Sequence, residues 1–172
     1  MADEASFEKQ VLYLYNATAK GLYNLAIYSV KDQPLAEQLA IDAFAFAYNC
    51  LSNKTDVMRF QIKGTRQLYR KTKKTLIHHS RHSAQKLSTH ESIESTNDTE
   101  KSRIQQLLSS LNYDERFLLL LLLQQKFAKK EIARVLYIPE FMVKKRIYHM
   151  FKKAISVWAG LSESFVPDKK PE

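Results

Sequence analysis

The residues whose types and spacing most invite a chemical reading lie near the C-terminus. Val143, Ile147, Met150 and Ala154 recur at intervals that share one helical face, while Lys144, Lys145, Tyr148 and Lys152 fall on the other. A helix anchored to a bundle by its apolar stripe, with cations and an aromatic on its outer side, suits a nucleic-acid major groove. It follows a short helical stretch, Lys129–Leu136, and a tight break at Tyr137-Ile138-Pro139. Short helix, turn and longer basic helix make the outline of a helix-turn-helix. Charge is segregated elsewhere too. Residues 57–90 hold nine Lys/Arg and no acid, and residues 126–172 carry a net +6, whereas residues 1–56 and 91–125 each carry −3. A single charge run is ordinarily a solvated face. Two basic blocks, each opening on an apolar helical segment, read instead as two contact points on one polyanion.

Enzyme chemistry finds little footing. Gly21, Gly64 and Gly160 are isolated, so no glycine-rich phosphate loop exists. Cys50 is the single cysteine and has no matching histidine arrangement, which leaves no nucleophile to name. His78 and His82 stand at i, i+4 with His79 between them, yet no third ligand type is near. These histidines are read as solvated, and neither a cofactor nor a metal is expected.

The elements that must position the basic faces are helical. The 172 residues include three glycines and four prolines, far fewer than a sheet protein consumes in its turns. Hydrophobic residues make up 45% of the chain, enough for a real core. Met1–Gln10 has no apolar run of the signal-peptide kind. The longest such run anywhere, Phe117–Leu123, is far short of the roughly 20 residues that span a bilayer. With one cysteine, the reading is a cytoplasmic protein with no membrane partner. A basic amphipathic membrane binder is a weaker alternative, since lipid-facing aromatics beside a clean charged face are missing.

Phe7 to Val30 has the spacing of one amphipathic helix, or of two joined near Gly21. Asp32 and Pro34 mark the next start, and a helix from Leu35 to about Leu51 should bury Leu39, Ala43, Phe46 or Ala47, and Cys50. A third helix carries Val57 to about Leu76. From His78 the chain turns to Ser, Thr, His, Asn and Asp, a composition too polar to offset chain entropy, and is read as a flexible linker. Helical spacing resumes at Ile104–Leu111. Asn112 can cap the next helix, with Asp114 and Glu115 in its first turn. Its run Phe117–Leu123 is apolar on every side and must be covered on every side, either at the centre of a bundle or, at Leu121 and Leu122, by a partner. The expected fold class is all-α. Two small helical domains, 1–77 and 104–160, are joined by the linker 78–103, with a mobile tail at 161–172.

At this point the residues resemble a known family. Leu111 to Ala154 is similar to the C-terminal promoter-binding domain of small bacterial RNA polymerase sigma factors of the extracytoplasmic-function type. Glu131-Ile132-Ala133, Leu136, Ile138-Pro139, Val143-Lys144, Arg146-Ile147 and His149 match that family's pattern. Phe7 to about Lys74 more weakly resembles the N-terminal domain, through Ala36, Glu37, Leu39, Phe44 and Ala47. The two parts come in the family's order and cover about two-thirds of the chain.

The resemblance implies a division of labour. The second helix would dock on core RNA polymerase through Glu37, Gln38, Ile41 and Asp42; at the last three, where the family usually has Asp, Gln and an acid, only Asp42 keeps the usual type. The third helix would read and open the −10 element. Phe60 and Tyr69 would stack on unpaired bases, while Arg66, Arg70, Lys73 and Lys74 hold phosphates, a combination suited to single strands. The competing reading of Phe60 and Tyr69 is plain core packing. Arg134 and the last helix would contact the −35 duplex, with Lys144, Lys145 and Lys152 as phosphate clamps. Phe141, Met142 and Tyr148 would lie against thymine methyls. The family usually has glycine where this chain has Lys126 and Tyr137, and a left-handed Tyr137 would cost roughly 1–2 kcal/mol. Promoter DNA and core polymerase are the implied partners, with an anti-sigma protein or a second sigma-like subunit as a further one. The alternative within the same resemblance is a sigma-like DNA-binding regulator or partner subunit that does not initiate transcription alone.

Overall fold

The computed structural model describes residues 2–30, 32–51, 56–83 and 110–163, and every regular element among them is an α-helix. In chain order these are α1 (Ala2–Val30), α2 (Gln33–Asn49), α3 (Val57–Ser83), α4 (Tyr113–Leu123), α5 (Lys129–Leu136) and α6 (Glu140–Glu163). Of the helical spacing of Ile104–Leu111 only its end is described, with Leu111 buried in the main cluster; residues 104–109, most of the 78–103 linker and the end of the tail lie outside the described residues. At the linker's near end α3 runs on to Ser83, past the expected boundary at His78.

Helix starts follow their local chemistry. Asp32 caps α2 by accepting from the Leu35 amide at 2.9 Å, and Pro34 sits in the first turn, where its missing N–H is not needed. Asn112 caps α4 reciprocally: its Oδ1 accepts from the Glu115 amide at 2.9 Å, and the Glu115 carboxylate accepts from the Asn112 amide at 2.8 Å. At α5 the residue before the helix is Ala128, which has no polar side chain. Half of the same device survives there, with Glu131 accepting from the Ala128 amide at 2.7 Å. Of the two arrangements open to the first apolar stretch, the chain takes the single one. α1 is continuous through Gly21.

α1, α2 and α3 pack on one another, α3 also packs on α5, and α1 on α4. One hydrophobic cluster therefore draws buried residues from both ends of the chain. Leu22, Leu25, Leu39 and Leu68 join Phe117, Leu121, Ile132, Val143 and Met150. A smaller cluster of Leu14, Ala47, Leu51 and Phe60 closes the far end of the first three helices. In α2 the expected inward positions Leu39, Ala43 and Ala47 are buried, but Phe46 is partly exposed and Cys50 faces solvent. The correction at Cys50 has a simple cause. α2 ends at Asn49, so Cys50 sits past the helix and off its inward face.

The all-apolar run in α4 is mostly covered by the bundle: Phe117, Leu118 and Leu121 are buried, Leu119, Leu120 and Leu122 pack partly against the cluster, and Leu123 alone in the run is largely exposed. Among the described residues no helix is long and apolar enough to cross a membrane.

Candidate nucleic-acid interface

α5 and α6 follow each other as a short helix, a tight turn and a longer helix. Ile132, Val135 and Leu136 on α5, with Val143 and Met150 on α6, are buried and fix the pair against the bundle. The turn is made by Tyr137, which adopts φ 56° and ψ 46°, after which the Ile138 amide donates back to the Ala133 carbonyl at 3.1 Å. This left-handed closure is the job glycine usually does at a helix end. Lys126, in the α4–α5 connection, has φ 52°. Lys126 and Tyr137 are the positive-φ residues among those described, and both stand where the resembled family has glycine.

From this platform α6 projects an outward face. Phe141, Lys144, Lys145, Tyr148 and Lys152 are all exposed, Met142 is half-buried, and Arg134 lies exposed on α5 beside them. Lys144 has one ion-pair partner, Glu140, at a loose 3.9 Å. Lys129 and Lys130, not singled out from the sequence, are exposed at the start of α5 and add to the positive surface of the same two-helix unit. Six exposed cations on one two-helix unit, with two exposed aromatic rings on the same outward side of α6, can neutralise phosphates and cover base edges at once.

The polar face of α3 has a different fate. Tyr69 donates its hydroxyl to Asp114 of α4 at 2.8 Å, and the Lys73 ammonium reaches both oxygens of the same carboxylate at 2.9 Å. The Tyr69 ring stacks on Tyr113 at 5.8 Å and tilts against Phe117 at 5.1 Å. Tyr113 in turn shares a hydrogen bond with the Thr72 hydroxyl. Burial, reinforced by the Asp114 carboxylate, pushes the Tyr69 hydroxyl above its ordinary value, and burial also raises Tyr113. At Lys73 desolvation pulls downward, but the hydrogen bonds that the ammonium donates to Asp114 and Tyr69 outweigh it and hold the group more firmly protonated. Arg66 donates to the Arg134 carbonyl at the end of α5, with 2.9 Å from Nε, and its guanidinium lies 5.3 Å over the Tyr137 ring. It satisfies an otherwise unbonded helix-end carbonyl and steadies the strained turn residue together.

Arg70 and Lys74 remain exposed on α3, while Phe60 is wholly buried. Its ring meets Phe44 edge-on at 4.9 Å inside the small cluster. Of the two sequence readings for Phe60 and Tyr69, packing describes both in this arrangement. A base can stack on Phe60 only if the ring leaves its cluster. The residues that sequence reasoning missed are the acceptors: Asp114 was legible as a first-turn acid, but nothing local marks it as the partner of a tyrosine and a lysine on α3.

The α2 positions divide as well. Glu37 and Ile41 are exposed and line an open groove of about 720 Å³ between α1 and α2, with Tyr15, Tyr23 and Phe44 on its walls. Asp42 is engaged across the helix pair by Lys71 at 2.5 Å and by Gln38 on its own helix at 3.0 Å. The Lys71 hydrogen bond holds the Asp42 carboxyl below its ordinary range despite some burial. Among the described residues no group of three His, Cys, Asp or Glu side chains gathers as a metal site.

No protein-family model and no curated protein matches the chain. Its fold is similar to that of a solved structure, the sigma factor RpoE from Bartonella quintana in complex with the anti-sigma factor NepR. The TM-score is 0.58 at 15% identity, over 88% of this chain and 96% of that one.

Proposed function

We propose that this protein acts as a sigma-like subunit of bacterial RNA polymerase, binding core enzyme and directing it to promoter DNA for transcription initiation. The observation that carries the reading is the outward face of α6, where Lys144, Lys145, Lys152, Phe141 and Tyr148 are exposed on a helix-turn-helix held by its apolar side. The likeness of the whole fold to a sigma factor supports it. In this reading residues 1–77 form the polymerase- and −10-binding unit, 104–160 the −35-binding unit and 78–103 their connection. The protein is then a non-enzymatic subunit working in the cytoplasm, and an anti-sigma protein is a fitting regulator.

Each unit has a stated task. Lys144, Lys145 and Lys152 hold phosphates of the −35 duplex, and Phe141, Met142 and Tyr148 lie over thymine methyls, with Arg134 at the groove's edge. Glu37 and Ile41, beside the α1–α2 groove, meet core polymerase along with Gln38 and Asp42. Arg70 and Lys74 offer exposed cations to the −10 strand. Arg66, Tyr69 and Lys73 join them only after leaving Arg134 and Asp114. Binding of the −10 DNA on this reading is therefore coupled to release of α3 from α4 and α5.

That same engagement favours a second reading, a sigma-like regulator or partner subunit that binds duplex DNA through α6 but does not initiate alone. The test mixes purified protein with bacterial core polymerase and a promoter library, and scores a stable complex and a run-off transcript. Complex and transcript together support the first reading. Duplex binding without either leaves the second.

A further inference from the structure

Arg66 reaches from α3 into the joint between α5 and α6. Its Nε donates to the Arg134 carbonyl at 2.9 Å, its Nη2 shares that acceptor, and the guanidinium carbon lies 5.3 Å from the centre of the Tyr137 ring. A carbonyl and a ring, rather than a carboxylate, thus occupy the guanidinium, whose flat fork can take both at once. Tyr137 is the left-handed residue, φ 56° and ψ 46°, on which the chain turns. That conformation is strained for a residue with a side chain, so other shapes of the turn compete with it unless something outside holds it.

What the turn orients is the start of α6. Glu140 and Phe141 are exposed and Met142 is half-buried, and the first wholly buried residue of the helix is Val143. The bundle therefore grips α6 from Val143 onward and leaves Glu140, Phe141 and Met142 to follow the chain entering from Tyr137. A reader helix presents its N-terminal residues to base edges, and such side chains discriminate only when held within about 0.5 Å of the productive placement. α5 itself is fixed without Arg66. Ile132, Val135 and Leu136 are buried in the main cluster, and just ahead of the helix the Gln125 side chain donates to the Gly21 carbonyl of α1 at 3.1 Å. Losing Arg66 would free the turn without detaching the helix pair.

We infer that Arg66 is a positioning residue for sequence reading by α6. It holds the Tyr137 turn, and through the turn it places Glu140, Phe141 and Met142 against base edges, without touching the duplex itself. The inference rests on the DNA reading above, and the −10 role proposed there for Arg66 begins only once this hold is released.

The test uses the full chain and two labelled duplexes, one of the sequence that wild type enriches from a random library and one with that sequence shuffled. Arg66→Ala should reduce the preference for the enriched duplex about fivefold or more, the cost of roughly one misread base pair. Affinity for the shuffled duplex should stay within about twofold, and the slope of log affinity against log salt should not change, since no phosphate contact is removed. The preference is a ratio within one folded protein, so a loss of stability alone does not move it. Arg66→Lys keeps the charge but not the flat fork and should lose part of the preference. Adding Tyr137→Gly to Arg66→Ala should restore most of it, because glycine takes the left-handed turn unaided. A second readout needs no DNA. With spin labels on the solvent-facing Cys50 and on Glu140→Cys, the distance distribution should broaden with Arg66→Ala and narrow again when Tyr137→Gly is added. An unchanged preference in Arg66→Ala overturns the inference. So does a fall in slope of about 0.9 with equal losses on both duplexes, because Arg66 is then a phosphate contact. Wild type that prefers no duplex removes the DNA reading instead. The distance distribution then decides alone: broadening keeps Arg66 as the residue that sets the turn, and no change overturns that as well.

Discussion

The polar face of α3 and the outward face of α6 are built from the same kinds of residue, lysine or arginine interleaved with an aromatic, and the fold gives them opposite surroundings. On α3, Arg66, Tyr69 and Lys73 are spent on Arg134, Asp114 and Tyr113 of the C-terminal helices. On α6, Lys145, Tyr148 and Lys152 face outward. The difference teaches that cationic-aromatic composition marks a surface able to meet a polyanion without saying whether it is available. Availability is set by whether the rest of the chain places an acid or a carbonyl within reach.

The two faces make their sharpest contrast at a pair of phenylalanines. Phe60 is wholly buried and Phe141 is 67% exposed, although the family resemblance gives both a role on DNA. Phe60→Ala should lower unfolding stability by about 3–5 kcal/mol through lost burial and a residual cavity. Phe141→Ala should leave stability within about 0.5 kcal/mol, as an exposed side chain has little burial to lose, and weaken duplex binding instead. Denaturant melts beside duplex titrations separate them. A stability loss at Phe141 equal to that at Phe60 would erase the distinction between the faces.

Charge reversal comes next in size. Lys144→Glu with Lys145→Glu should weaken duplex binding by about 2–3 kcal/mol and reduce the slope of log affinity against log salt by about two. The same reversal at Lys169 and Lys170 should do much less. Equal losses in the two double variants would mean that affinity follows net charge and that α6 has no special standing as the reader.

How far these environments could be read from the chain differs by element, for a physical reason. Caps and stripes are local. Asp32, Asn112, the α5–α6 turn and the Val143–Met150 face are legible because each is decided within one or two helical turns. The fold class follows from such signals together with the scarcity of glycine. The surroundings of α3 are decided by partners far along the chain: Tyr69 meets Asp114 and Arg66 meets Arg134. No periodicity in the first half encodes which acid of the second will arrive there. Cys50 shows the smaller version of the same limit, where an inward helical register no longer applies because the helix has ended.

If Asp114 is what makes the α3 face unavailable, Asp114→Ala should loosen it at moderate cost. The pair with Lys73 is roughly 40% exposed, so solvent screening limits its worth, and the loss of that pair and the Tyr69 hydrogen bond together should come to about 1 kcal/mol. DNA binding to a single-stranded −10-type probe should rise in the variant, since Lys73 and Tyr69 are released. The wild-type contact has a pH signature. Lys73 and Tyr69 are both shifted upward by the fold, so their protonated forms stabilise it fully below their ordinary values of 10.5 and 10.0, and that contribution is lost as pH climbs past them. Wild type should therefore lose more stability between neutral pH and about pH 11 than Asp114→Ala does. Parallel pH curves would show that the carboxylate does not govern the face.

The smallest effects concern the two left-handed residues, which separate a strained position with a compensating contact from one without. Lys126→Gly removes a left-handed penalty of roughly 1–2 kcal/mol at the expense of a more flexible unfolded chain, worth about 0.5–1 kcal/mol, so it should stabilise by about 0.5–1 kcal/mol. Tyr137→Gly relieves the same backbone but removes the ring beneath Arg66, an interaction of about 0.5–1 kcal/mol, and should come out near zero. Repeating both substitutions in an Arg66→Ala background tests the cause. There Tyr137→Gly should become as favourable as Lys126→Gly, because the ring no longer has a guanidinium to hold. If Tyr137→Gly stays neutral without Arg66, the turn owes its stability to something other than the contact between α3 and the α5–α6 turn.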